Sequence, residues 1–283
     1  MQINYQNLKT EEAIMNIFKL LKNYDVKPEG IENFISRRDA FEKLLGLGKK
    51  AAFAAIPLSL AGVATNNKAS AQSATSEDLA DVLNFALTLE YLEAEFYTMG
   101  LDTNGLIPAG KDHSIIELIK FHEVHHVDLL KTVIDSLGAT PVSKPDFDFT
   151  AGGAFNPYGD YQQFLALAQA FEDTGVRAYK GQAGNLFSNG DLLTAALQIH
   201  SVEARHASEV RRLRGLKGWI LQDQRGEAMP AQTQAVYNGE DNLVQGGVDV
   251  TTVSLVGADG VTESFDEPLN KNEVLIIAGL FIV

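Results

Sequence analysis

The 283-residue sequence predicts an all-α fold: a four-helix bundle of two hairpins joined by one long crossover, then a C-terminal extension ending in a short helix. Three observations carry that expectation. After Ala71, four segments hold apolar residues at helical spacing behind readable starts. The links between them run short, long, short, which suits antiparallel neighbours within each pair. Each half also repeats the same parts in the same order: a glutamate, a tyrosine seven residues on, and then Glu-x-x-His.

The helix starts follow from side-chain chemistry. The first helix is expected near Thr75 or Ser76, where a hydroxyl caps the end and Glu77 and Asp78 suit the positive pole. The second is placed at Ser114, with Glu117 completing a capping-box pattern, and the third at Asp160 with Gln163 in the same relation. The turn signal Ser188-Asn189-Gly190 opens the fourth. Gly100 to Lys111 and Gly184 to Gly190 make the short links. Gly138 to Tyr158, with Pro141, Pro145, Gly152, Gly153 and Pro157, has no helical period and is long enough to run back along a bundle.

Inward stripes place acids at core positions. The first helix runs Leu83, Ala86, Leu87, Glu90, Ala94 and Tyr97, and the second runs Ile116, Ile119, Glu123, His126 and Leu130. The third offers Leu165, Ala168, Glu172, Val176 and Tyr179, and the fourth Ala196, Ile199, Glu203, His206 and Val210. Residues three apart share a helix face, so Glu123 with His126 and Glu203 with His206 point into common space. An unpartnered buried carboxylate costs several kcal/mol, and four in register call for a common cation. Four carboxylates balance two divalent ions while two neutral imidazoles add nitrogen donors, a set that suits iron or manganese. Tyr97 and Tyr179 are placed to donate hydrogen bonds to the ligand carboxylates or to serve as core tyrosines.

The stretch from Leu83 through Glu90 to Tyr97, with Glu172-Asp173-Thr174-Gly175 and Val202-Glu203-Ala204-Arg205-His206, resembles the exported ferritin-like domain family that includes desiccation-related proteins. The resemblance covers roughly Ser76 to Gly215. It implies that Glu90, Glu123, His126, Glu172, Glu203 and His206 ligate a dinuclear iron or manganese centre. It implies either ferrous oxidation or peroxide decomposition, with oxygen or peroxide as small-molecule substrate, or a stress-associated protein that binds metal without catalysis.

His122-Glu123-Val124-His125-His126 also satisfies H-E-x-x-H, the zinc-peptidase motif. The second half argues against that reading, because Val202 stands where His122 stands in the first and only Glu-x-x-His is duplicated. A peptidase also leaves Glu90, Glu172 and the tyrosine repeat without a role. Glu93, one turn from Glu90, is the rival ligand on the first helix, and the tyrosine spacing favours Glu90. Glu95 and Arg205 read as solvated, and His125 and His200 as surface or satisfied core histidines.

Composition narrows the function classes. A net charge of -14 excludes a large basic nucleic-acid surface, and the absence of cysteine excludes disulfides, zinc ribbons and iron–sulfur clusters. Residues 1–35 read as an N-terminal extension and 36–71 as a twin-arginine-like export signal: Ser36-Arg37-Arg38, an apolar stretch from Ala51 to Val63, then Ala69-Ser70-Ala71. Asp39 and Glu42 depart from that pattern, Met15 offers a later start, and an uncleaved anchoring or packing helix is the alternative. The expected destination is the periplasm or cell envelope. The apolar run is too short, and broken at Pro57, for a stable span. Residues 72–215 form the expected bundle and 216–283 the extension packed on it, with Val248 to Val256 as a strand or hairpin and Asn270 with Glu273 opening the last helix. Leu275 to Val283 is expected to dock on the domain or to form a homo-oligomer contact.

Overall fold

A computed structural model describes residues 76–283; the N-terminal extension and the twin-arginine-like signal lie outside the described residues. Four long helices form: α1 (Ser76–Asp102), α2 (Lys111–Ser136), α3 (Tyr161–Gln182) and α4 (Gly190–Leu213). α1 packs along α2 and α3 along α4, and the two hairpins meet through α1 against α3 and α2 against α4. The passage between α2 and α3 is the long crossover. None of the described helices is long and apolar enough to cross a membrane.

The helix ends show which capping signals were real. α3 starts as expected, with the Asp160 carboxylate accepting from the amides of Gln162 (2.8 Å) and Gln163 (3.4 Å). Asn189 caps α4 by accepting from the Leu192 amide at 3.1 Å. α2 begins three residues before the expected Ser114. The Ser114 amide already donates to the Gly110 carbonyl at 3.0 Å, so its hydroxyl has no free helix end to cap. The stripe on α1 also differs: Ala86 and Ala94 are only half-buried, whereas Phe85, Leu89, Leu92 and Phe96 are buried. The first helix therefore buries two faces, because something beyond the bundle covers it.

That covering layer comes from the C-terminal extension. α3 is buried at every residue from Phe164 to Tyr179, more than three neighbouring helices alone would require. The extension, which forms two short helices, α5 (Ala258–Thr262) and α6 (Lys271–Ala278), supplies the remainder through α6 and a 3-10 turn over Ala231–Val236. α6 opens with the expected reciprocal box, Asn270 accepting from the Glu273 amide while the Glu273 carboxylate accepts from the Asn270 amide. Gly181 permits the closest approach: a Cβ there would collide with the Leu269 carbonyl. The valine-rich stretch forms less strand than expected. Only Val248–Asp249 (β2) pairs, with Val244–Gln245 (β1), because Asp249 then accepts the Thr251 amide at 3.0 Å and turns the backbone into a 3-10 segment.

The tail docks on the crossover. The Asp148 amide donates to the Phe281 carbonyl (2.8 Å) and the Val283 amide to the Asp146 carbonyl (3.1 Å). Phe281 meets Phe171 edge-on with centroids 4.9 Å apart, and Phe149 lies against Phe96 at 5.2 Å. Each such buried aromatic side chain contributes about 1.5–3 kcal/mol through removal from water. The result is one continuous apolar seal over the α1–α3 side of the bundle.

Candidate metal centre

Glu90 on α1, Glu123 on α2, Glu172 on α3 and Glu203 on α4 are each 0% exposed. A helix rises about 1.5 Å per residue, so side chains near the middle of four long helices meet at one level. His126 and His206, one turn beyond Glu123 and Glu203, join them. Two groups form whose ligand atoms all lie within 4.8 Å of one another: Glu90, Glu123, Glu203 and His126, and Glu123, Glu172, Glu203 and His206. Glu123 and Glu203 belong to both.

Both histidines turn Nδ1 toward the carboxylates. His126 Nδ1 lies 3.1 Å from Glu90 Oε2, 3.0 Å from Glu123 Oε2 and 3.2 Å from Glu203 Oε1. His206 Nδ1 lies 2.7 Å from Glu123 Oε1 and 3.4 Å from Glu172 Oε2. These approaches are close but badly directed for several atoms. Glu123 Oε1, Glu172 Oε2, both oxygens of Glu203 and His206 Nδ1 are buried without a hydrogen-bond partner. Leaving one such atom unpaired costs about 1–3 kcal/mol, more when charged. Lone pairs that converge without pairing with each other fit a common cation, and this donor set of carboxylate oxygen and imidazole nitrogen fits iron or manganese.

The tyrosine repeat finds its reason across the bundle. Tyr97 of α1 donates to Glu172 Oε1 of α3 at 2.5 Å, and Tyr179 of α3 donates to Glu90 Oε1 of α1. Each tyrosine thus reaches the glutamate of the opposite hairpin, and the exchange is reciprocal. Both phenols are pushed well above their usual range by burial and by the carboxylate each one faces, so they remain donors at all ordinary pH.

Electrostatics separate the acids. Burial pushes the Glu123 carboxyl up to about 7, despite the His126 and His206 imidazoles beside it. Burial, then the neighbouring Glu123 and Glu90 charges, hold Glu203 well above the ordinary value. For Glu90, burial acts upward but is outweighed by His126, and its carboxyl is held low. His206 rises to about 11 because Glu172 and Glu123 overcome its burial. Without metal, the imidazoles are thus the counter-charges of the cluster, and a cation that replaces them releases protons.

Other sequence candidates fall outside the two groups. Glu93 is buried but belongs to neither group: a Cβ on Gly175 would sit 3.3 Å from both Glu93 Oε1 and Glu203 Oε2, so the glycine keeps that space open. Burial, then Glu203 and Glu172, push Glu93 well above the ordinary carboxyl range. His125 donates to the Phe121 carbonyl of its own helix at 2.6 Å. Glu95 pairs with Lys144, and Arg205 is exposed. His122 is in neither group; its Nδ1 lies 2.9 Å from His206 Nε2.

Two buried ionic clusters were not anticipated. Asp173, beside Glu172, takes Arg211 of α4 (Nη2 to Oδ2, 2.5 Å) and the Tyr237 hydroxyl (2.8 Å). Arg177, one turn further on, lies 2.7 Å from Glu240 and donates to the carbonyls of Glu267 (2.8 Å) and Asn238 (3.0 Å). The i,i+4 spacing of Asp173 and Arg177 was legible, but their partners lie in the extension and on the next helix. Opposite these clusters, the α2–α4 side opens into a cavity of about 800 Å³ reaching His122, His126, His206, Phe121, Val202 and Arg205.

Two antiparallel hairpins that turn paired Glu-x-x-His motifs and two lone glutamates onto one axis have the geometry of helical bundles that hold metal in their core. Residues 78–216 match the family model of the ferritin-like domain, and the chain carries that domain. A comparison with curated proteins finds no match.

Proposed function

We propose that this protein is an exported ferritin-like protein that binds two iron or manganese ions and uses them to oxidise ferrous iron or to decompose peroxide. The observation that carries the proposal is the pair of overlapping four-residue groups sharing Glu123 and Glu203, with unpaired buried oxygens aimed between them. When bound, the ions supply the electron transfer to oxygen or peroxide. Glu123 and Glu203 would serve both ions, Glu90 with His126 one of them, and Glu172 with His206 the other. Four carboxylates balance two divalent charges, and Glu93, whose burial works against its ionisation, lies outside both groups.

The remaining residues orient and exclude. Tyr97 and Tyr179 fix the carboxylates of Glu172 and Glu90, leaving their other oxygens free for metal. The aromatic seal keeps water from the α1–α3 side, and the cavity on the α2–α4 side gives oxygen, peroxide or ferrous iron a route in. Export rests on Ser36-Arg37-Arg38 and the apolar run after it; folded transport would carry metal loaded beforehand.

Metal analysis of natively expressed protein, followed by anaerobic ferrous titration and addition of oxygen or peroxide, tests the reading. Two ions per chain with turnover of either oxidant is the expected result. Less than one ion after reconstitution would remove the dinuclear site. Full loading without reaction would leave a stress-associated metal-binding protein of the desiccation-related kind.

A further inference from the structure

His122 belongs to neither ligand group and not to the apolar core, although it is half-buried and lines the cavity. Its Nδ1 lies 2.9 Å from His206 Nε2. The rings are nearly parallel at 11° with centroids 5.2 Å apart, an edge-to-edge approach rather than a face-to-face stack. Nδ1 of His206 faces Glu123 and Glu172. An imidazole that gives the Nδ1 lone pair to a metal keeps its proton on Nε2, so His206 must donate to His122, and His122 must carry its own proton on the opposite nitrogen.

The other half of the bundle has no such pair. The pseudo-symmetric position of His122 is Val202, four residues before His206 as His122 is four before His126. Among the described residues, His126 meets Glu90, Glu123 and Glu203 through Nδ1, and no side chain accepts from its Nε2.

Resting on the dinuclear reading above, we infer that His122 is a positioning residue that locks the tautomer and ring orientation of His206 and so makes the two metal positions inequivalent, the His206 side binding more tightly. Hydrogen-bond partners of ligating imidazoles raise ligand basicity, and their loss costs about 10–100-fold in metal affinity.

The test is a Co²⁺ titration of the full chain, followed by absorption and by proton NMR of the exchangeable ligand N–H signals. Wild type should bind two ions in separable steps, with one of the two imidazole N–H protons exchanging slowly. His122→Phe, which keeps the aromatic volume, should weaken one step by about 10–100-fold, spare the other, and lose the slow N–H signal. His122→Asn places an oxygen acceptor near the former Nδ1 and should restore both. Unchanged steps in His122→Phe, equal weakening of both steps, or a His122→Asn that behaves like His122→Phe would each overturn the inference while leaving two bound ions. A wild type that takes up no Co²⁺ removes the dinuclear reading itself, and the inference falls with it.

Discussion

The α1–α2 and α3–α4 hairpins carry the same candidate ligands in the same order, yet their surroundings differ. Each hairpin lends a tyrosine to the other, so the interior of the site is close to symmetric. Outside it, α3 is enclosed by the extension, with Asp173 and Arg177 held in buried ionic clusters, whereas α2 is buried on a single stripe and looks onto the cavity. His122 against Val202 adds a further asymmetry at the mouth. Duplicated motifs thus define where ligands meet, and the unduplicated surroundings define how the two halves differ in rigidity and access.

The largest expected effect tests the shared centre. Glu203→Gln should remove both ions, whereas Glu172→Gln or Glu90→Gln should remove chiefly the ion on its own side; metal content per chain measures this. Equal loss in all three variants would mean that Glu203 is not shared.

Next comes the one-sided clamp. Arg177→Met leaves Glu240 buried and unpaired and should cost about 3–5 kcal/mol in denaturant unfolding. The double variant with Glu240→Leu should recover much of that loss. A single variant as stable as wild type would show that the extension is not held by this pair.

The reciprocal tyrosines should respond alike. Tyr97→Phe and Tyr179→Phe each delete a hydrogen bond to a carboxylate, worth about 1.5–3 kcal/mol, and the two thermal shifts should match. A clear inequality would place the asymmetry inside the site.

The pH dependence follows from the titrating groups. The Glu123 carboxyl is raised from 4.5 to about 7, so the metal-free fold loses stability as pH climbs through that interval. His206, raised from 6.5 to about 11, gives stability that is complete below 6.5 and is lost as pH rises toward 11. Glu90, held low, contributes stability above 4.5 and loses it only in acid. Between about pH 5 and 8 the first two groups act in one direction. Metal replaces their protons, so the gain in melting temperature on loading should be larger at the alkaline end. Equal gains at both ends would contradict this assignment of charge. The smallest change expected is Val202→His, which offers His126 a partner and should narrow the gap between the two binding steps.

The sequence by itself determined the four helices, the inward glutamates and the duplicated Glu-x-x-His. Helical period and capping are local, and a carboxylate on an apolar stripe is legible within a few turns. Even there, Ser114 misled, because a hydroxyl followed by a glutamate reads the same inside a helix as at its start. Only the tertiary structure decided which tyrosine serves which glutamate, that Glu93 stands apart beside Gly175, that the extension reaches Asp173 and Arg177, and that His122 turns to His206. Each of these is a contact between elements far apart in the chain, set by how the hairpins cross. No periodicity within either hairpin encodes it.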